Sequence, residues 1–450
     1  MKTIFFSIAT LLFAFTIEAQ QLRLSLQQCR EMALEYSEDM KIAQYQIEKA
    51  ITDRQIARTA YLPRFSASAT YARTSGDMEL GLPQTSMPFT IMEGVEVDIG
   101  EMLPEKITTN TDIDLFMLGV NVQQPLFAGG KILIANRMAE KAVELTEENI
   151  RMLRSNVAAE AEKAYWRHYS LNYNIRLLEQ YDILLDTLYH SVSAMISVQM
   201  ATDNELLKIT SRRSNIQYQM QRARNGMELS RMQLCRLIGA DLNTEIILTD
   251  SISTSAATAP PTDMFLNLTA RPEYRMLQRQ IELHDLNIKS VRADFLPTLG
   301  VMAGYSYMSD LELGGIAIRT GRPRPLLMAS LNIPIFHFGE GAKKIQSATI
   351  VRNIQQEELN KNSTLLTIEA QFANRNMQDA FLLIRFAETA LQQAQANLRR
   401  TQDNYEVGMG TLIDVLDAQA QWQEAYGNLI DAQVQYKISE VEYLRVSGGM

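Results

Sequence analysis

The chain carries one structural unit twice. "NVQQPLFAGGK" (Asn121–Lys131) matches "SLNIPIFHFGE" (Ser330–Glu340), with Pro125 and Pro334 separated by 209 residues. Val198 and Thr202 match Val407 and Thr411 at the same offset, and "LCRLIG", ending at Gly239, matches "YLRVSG", ending at Gly448. Three anchors at one offset, spread over more than 100 residues, define a tandem copy, so both halves must adopt the same arrangement.

The fronts of the copies match at a second offset. "ARTAYLPRFSASATY" (Ala57–Tyr71) pairs with "VRADFLPTLGVMAGY" (Val291–Tyr305), and Pro63 and Pro297 lie 234 residues apart. The difference of 25 places an insertion in copy one, between Tyr71 and Asn121. That stretch is rich in Gly, Pro, Thr and Asp and reads as a loop. "GADLNTEIILTDSISTSAATAPPTD" reads as a linker with a short strand at Ile246–Leu248. The expected domains are a signal peptide at 1–19, a first repeat at 20–239, a linker or equatorial segment at 240–262 and a second repeat at 263–450.

Each copy reads helix, strand, loop, strand, very long helix, break, shorter helix. In copy one, Ser25 to about Tyr61 is helical, with Cys29, Met32, Ala33, Tyr36 and Met40 recurring at spacings of three and four. Pro63 stops it. Strands are expected over Arg64–Thr74 and Asp112–Phe127. From about Gly130 to Val198 the chain, free of proline and glycine after Gly130 itself, is dense in good helix formers, which predicts a helix about 100 Å long. A return helix is expected over Thr202–Leu237; copy two repeats the pair over Glu340–Val407 and Thr411–Val446. Helices of this length need lateral partners, so each pair should form an antiparallel hairpin.

The strands alternate. Phe65, Ala67, Ala69 and Tyr71 are interleaved with Ser66, Ser68 and Thr70; Leu299, Val301, Ala303 and Tyr305 with Gly300, Met302 and Gly304; Leu327, Ala329 and Leu331 with Met328 and Ser330. An apolar face against a small or polar face, with aromatics near the ends, fits a membrane β-strand. Alternation alone fits a half-buried soluble sheet as well. In a chain otherwise made of helix, little is left to cover a soluble sheet. Four strands are too few to close a barrel, and an open edge cannot face lipid, so copies must pool strands, eight in a dimer or twelve in a trimer.

The remaining composition narrows the class. Lys2, the apolar run Ile4–Ile17 and Ala19 form the pattern of a secretory signal peptide, and the rest has no run of about 20 apolar residues. Cys29 follows "LQQ", without the small residues of a lipoprotein signal. A net charge of -9 argues against a nucleic-acid partner. Cys29 and Cys235 are expected to be idle thiols, although an oxidising compartment permits a disulfide. The four histidines show no ligand spacing, and no nucleophile motif or phosphate-binding glycine loop is present, so neither an enzyme nor a cofactor is expected. Trp166 and Trp422 read as packing residues and the 23 methionines as gap-fillers.

The segments "LSLQQCREMALEYS", "ARTAYLPRFSASATY", "QPLFAGGK", "RPEYRMLQRQIELHDLNIKSVRADFLP" and "YEVGMGTLIDVLDAQ", in this order and duplicated, resemble the TolC-like outer-membrane efflux factor family over essentially the whole mature chain. The resemblance implies an α+β membrane protein, a homotrimer with a 12-stranded barrel in outer-membrane lipid above a periplasmic α-helical tunnel. It implies an exit duct of a tripartite efflux pump, working with an inner-membrane transporter and a periplasmic adaptor on drugs or other small molecules. The channel of a type I protein secretion system is the alternative within this class. A periplasmic coiled-coil scaffold without membrane insertion is the alternative outside it.

The resemblance also implies site residues. Val407, Gly408, Met409, Gly410 and Thr411 form the periplasmic tip of one hairpin, and Val198, Gln199, Met200, Ala201 and Thr202 that of the other; both are expected to dock the adaptor. Asp414 and Asp417 correspond to acidic rings at the tunnel constriction, with possible cation binding, while Glu205 and Lys208 hold the matching positions of copy one. Tyr405 matches a tyrosine of the closed state, but Gly410 stands where the family has an arginine. From the residues alone, an acidic pair at i, i+3 after Thr411 is equally a helix-dipole and N-cap arrangement.

Overall fold

A computed structural model of the chain describes residues 21–81, 88–92, 95–98, 106–252, 267–313, 316–318 and 321–449. The expected signal peptide and residues 253–262 of the expected linker lie outside the described residues. The elements, in chain order, begin with β1 (Gln21–Leu24), α1 (Leu26–Tyr36), α2 (Glu38–Thr59), β2 (Arg64–Gly81), β3 (Pro88–Met92), β4 (Val95–Asp98) and β5 (Lys106–Ala128). The long helix α3 (Lys131–Ser197), α4 (Asp203–Ile238), β6 (Glu245–Leu248) and α5 (Pro272–Ala293) follow. The chain ends with β7 (Thr298–Met308), β8 (Leu311–Leu313), β9 (Ile316–Ile318), β10 (Arg324–Asn332), α6 (Glu340–Glu406) and α7 (Leu412–Ser447).

The duplication is realised residue for residue in the helices. α3 and α6 each have 67 residues, and α4 and α7 each have 36. Both short helices end on a glycine in the left-handed region, Gly239 at φ 70° and Gly448 at φ 81°.

Two expectations are corrected. The helix expected from Ser25 to Tyr61 is two helices, α1 and α2, because Ser37 takes an extended conformation (ψ 145°) and its hydroxyl accepts a bond from the Met40 amide at 3.3 Å. A serine that can bond its own backbone competes with the helix and caps the next one. The insertion of copy one, expected as a loop, is largely strand: β2 continues to Gly81, β5 starts at Lys106, and β3 pairs with β4. The threonines counted there as loop residues are β-branched and serve equally well in a ladder.

The described residues divide into two compact units. The first comprises, among the described residues, 21–50, 142–252, 267–281 and 353–449. Its largest core cluster includes Cys29, Ala161, Tyr165, Trp166, Leu234 and Cys235. Both cysteines are free and buried, and burial pushes the Cys29 thiol up to about 12. β1, which the sequence pattern did not reveal, pairs in parallel with β6. Asp250 ties this pair to the helices: its Oδ2 accepts from the Leu26 amide at 2.6 Å and from the Tyr165 hydroxyl at 3.0 Å.

The second unit comprises residues 51–141 and 282–352 and holds an antiparallel sheet in the order β10-β7-β5-β2. Register places like with like. Tyr71 faces Phe116, Ala69 faces Leu118, Val120 faces Tyr305 and Ala303 faces Leu327. Since directly paired residues share a face, these form one continuous apolar surface. The opposite surface carries Ser66, Ser68, Gly119, Asn121, Gly304 and Ser330. Gly304 is required there, because a Cβ would lie 2.5 Å from the Asn121 Oδ1 and 2.7 Å from the Val120 carbonyl. The apolar surface is exposed in the single chain, with Phe65 at 75% and Leu327 at 83%. Among the described residues β2 pairs only with β5 and β10 only with β7, so both outer edges are open.

Candidate functional site

Each long helix reverses into its short partner through the same turn. At the end of α3, the Gln199 amide donates to the Ile196 carbonyl at 3.0 Å and the Met200 amide to the Met195 carbonyl at 2.8 Å. At the end of α6, the Gly408 amide donates to the Tyr405 carbonyl at 3.1 Å and the Met409 amide to the Asn404 carbonyl at 2.8 Å. These are paired 5→2 and 6→1 bonds, the Schellman motif, which needs one left-handed residue. Gly408 fills it at φ 75°, whereas copy one uses Gln199 at φ 63°. The turns leave large apolar side chains outside: Val198 and Met200 in one, Val407 and Met409 in the other.

Below the turns, four helices of the first unit meet. Val192 of α3, Ile209 of α4 and Leu412 of α7 form a buried cluster, with Tyr405 of α6 and Ala201 packed against it. The Tyr405 hydroxyl contacts the Met195 sulfur at 4.0 Å, and burial, together with the nearby Glu205 charge, raises its pKa. The structure thus brings Tyr405 and Glu205 together. Gly410 packs tightly here, since a Cβ on it would lie 3.3 Å from the Tyr405 amide nitrogen. Its counterpart Ala201 carries that methyl in copy one.

Asp414 and Asp417 stand on the other side of α7. Leu412, Val415 and Ala418 are buried, while both aspartates are exposed. Asp414 closes a capping box with Thr411: its Oδ2 accepts from the Thr411 amide at 3.0 Å and hydroxyl at 2.6 Å, and its own amide donates back to that hydroxyl at 3.3 Å. These bonds hold the Asp414 carboxyl below its ordinary value, so it stays ionised. By linkage, the stabilisation is complete above the ordinary carboxylate range and is lost as pH falls through the depressed value. Among the described residues of the chain, no group of three or more His, Cys, Asp or Glu side chains is placed to hold a metal. No described helix is long and apolar enough to cross a membrane.

One constellation escaped the sequence reading. Arg271 is 1% exposed, and it donates to the Leu366 carbonyl at 3.3 Å and to Glu369 at 2.8 Å, with Glu273 at 3.0 Å. Arg445 reaches the other oxygen of Glu369 at 2.7 Å and Asn156 at 3.3 Å. The cluster ties the start of α5 and the end of α7 to α6, and through Asn156 to α3. Its members lie up to 289 residues apart in sequence, so no local spacing marks it.

A family model described as outer membrane efflux protein matches residues 29–240 and 267–449. The solvent efflux pump outer membrane protein SrpC of Pseudomonas putida is 23% identical over 440 residues, covering 93% of this chain and 84% of the relative. The outer membrane protein TolC of Vibrio cholerae is 17% identical, covering 81% and 84%. Among solved structures, CusC superposes with a TM-score of 0.74 at 15% identity, covering 94% of this chain and 92% of that one. The Campylobacter jejuni CmeC outer membrane channel gives 0.74 at 18% identity, covering 94% and 85%.

Proposed function

This chain belongs to the outer membrane efflux protein family, it is an outer-membrane efflux protein rather than an enzyme, and from that premise we propose that it is the exit duct of a tripartite pump. Three copies pool their four-stranded sheets into a 12-stranded barrel, and the paired helices continue the conduit into the periplasm. The observation that carries this reading is the sheet: an exposed apolar face, an opposite face of mostly small and polar residues with Met302, Leu326 and Met328 among them, and two edges open among the described residues. Such a sheet is stable in lipid only when other copies close its edges. The cargo is small and apolar in this reading, since the relatives are named for solvent and toluene efflux.

The exposed tips, Val198 to Thr202 and Val407 to Thr411, dock a periplasmic adaptor, which in turn engages an inner-membrane transporter. Asp414 and Asp417, exposed on one face of α7, form acidic rings where three copies converge. Asp414 serves as cap and ring member at once, because capping keeps its charge. Reconstituted into planar bilayers, the full chain should give ion-conducting channels that divalent cations block. Asp414→Asn combined with Asp417→Asn should weaken that block. Unaltered block would remove the rings from the reading, and absence of conductance would remove the duct.

A further inference from the structure

The insertion of copy one builds a ribbon that rises above the rest of the sheet. β7 ends at Met308, opposite Met117 of β5, and β10 begins at Arg324, opposite Ser306 of β7. The β2–β5 ladder continues without a break in register, from Ala72 opposite Leu115 to Gly81 opposite Lys106. These ten further pairs extend it by about 34 Å, at about 3.4 Å per residue. Helices α2, α3, α5 and α6 all join the sheet at its other end. In copy two the matching turn is the short β8–β9 hairpin.

Paired residues share a face, and an unbroken register makes the two faces of the ribbon continuations of the two faces of the sheet. Polarity inverts between them. In the sheet the face of Tyr71 and Phe116 is apolar. Above it, the same face carries Arg73 opposite Asp114, Ser75 opposite Asp112 and Asp77 opposite Asn110, and no apolar residue follows up to Glu79. The change falls where the Tyr71 hydroxyl donates to the Asp114 Oδ1 at 2.7 Å and Arg73 pairs with Asp114 at 3.7 Å. The other face carries Ser66, Ser68 and Asn121 in the sheet. In the ribbon it carries Leu115, Ile113, Met78, Leu80 and Ile107, with only alanine, glycine and threonine between them and no charge.

A two-stranded ribbon is one layer thick and has no core of its own, so an apolar face on it needs a cover. Three copies around one conduit bring three such ribbons to one mouth. The faces of Asp77, Asp112 and Asp114 repel their own copies, whereas the uncharged faces match one another. We propose that the apolar faces of three ribbons, one from each copy, pack on one another over the outer mouth and cap the conduit. The proposal rests on the oligomeric duct reading above. The cap excludes water and ions, since an apolar constriction closes by dewetting, and apolar cargo leaves by partitioning through it. The acidic faces turn outward and keep the cap in solution.

The test uses the full-length chain in intact cells and a short thiol cross-linker. Ile113→Cys puts a thiol on the apolar face of the ribbon, and Asp112→Cys puts one on the charged face a single residue away. The native thiols are buried. Cross-links between copies are expected from Ile113→Cys and not from Asp112→Cys. Equal yields, or links from Asp112→Cys alone, overturn the cap. Ile113→Cys is then combined in turn with Phe89→Cys of β3 and Leu313→Cys of β8. Links within one chain in place of links between copies assign the face to those hairpins and overturn the cap. A chain that is oligomeric in detergent and gives no link between copies overturns the cap and leaves the duct reading standing. A chain that is monomeric in detergent overturns both. Access to the conduit is the second arm, measured on chain that stays oligomeric in detergent. Ser68→Cys lies on the conduit face of the sheet, and a polymer-coupled maleimide added outside the cells should label it slowly. Adding Ile107→Asp with Ile113→Asp should speed that labelling about tenfold or more, because an apolar contact does not accept unpaired carboxylates. Equal rates with and without the two aspartates overturn the cap. Labelling of Ala69→Cys in place of Ser68→Cys would overturn the assignment of faces in the duct reading itself.

Discussion

At the residue scale, the tips are set by a single backbone conformation. Both turns make the same two hydrogen bonds and both require one left-handed residue. Glycine enters that region freely, while another residue incurs about 1–2 kcal/mol. Gly408→Ala should therefore destabilise the folded chain by about 1 kcal/mol, and Gln199→Gly should stabilise it, by less, because glycine also loses more freedom on folding. Denaturant unfolding in detergent measures both; a loss on Gln199→Gly would contradict the shared motif. The sequence marked the copy-two turn through Gly408 but not the copy-one turn, where Gln199 gives no local signal. Only the offset of 209 revealed that Val198 to Thr202 is the same feature. Asp414 was legible as a cap residue. Thr411 three residues ahead predicted the cap that forms, and the cap keeps the carboxylate charged, as the proposed ring requires.

At the element scale, helix extents were legible because absence of proline and glycine is a long-range signal. The stretch expected from about Gly130 to Val198 became α3, and Glu340–Val407, whose only glycine is Gly341, became α6. Breaks set by a single side chain were not legible: Ser37 splits a helix whose apolar spacing runs straight through it. Strand ends were misjudged because Thr, Gly and Asp occur in both loops and membrane ladders. The link between helices α5, α6 and α7 was invisible, since it rests on a buried arginine with distant partners. Arg271→Met should destabilise the chain by about 2 kcal/mol, as it removes the bonds to the Leu366 carbonyl, Glu273 and Glu369 and leaves the two carboxylates to Arg445 alone. Lys163→Met should cost less, because the Lys163–Glu442 pair is partly exposed, at 24% and 30%. Thermal or denaturant unfolding ranks the two; the reverse order would deny Arg271 its role as the tie between these helices.

At the scale of the whole molecule, duplication, open edges and uncovered faces have one origin. In the proposed oligomer, a chain that encodes one unit twice leaves the outer edges of its sheet for a neighbour. Among the described residues the sheet leaves its outer strands β2 and β10 open, and α4 and α6 leave Leu207, Tyr218, Phe372 and Phe386 exposed. In the proposed barrel the apolar sheet face turns to lipid, and the face of Ser66, Ser68, Asn121 and Gly304, which also carries Leu326 and Met328, turns to the conduit. An exposed apolar surface of this extent on a single chain marks an interface with another copy or with lipid. Electron microscopy of the full chain, extracted in detergent without a partner, tests this most directly. The account predicts particles with three-fold symmetry around a continuous central conduit. A monodisperse monomer, stable in plain buffer without detergent, would contradict it.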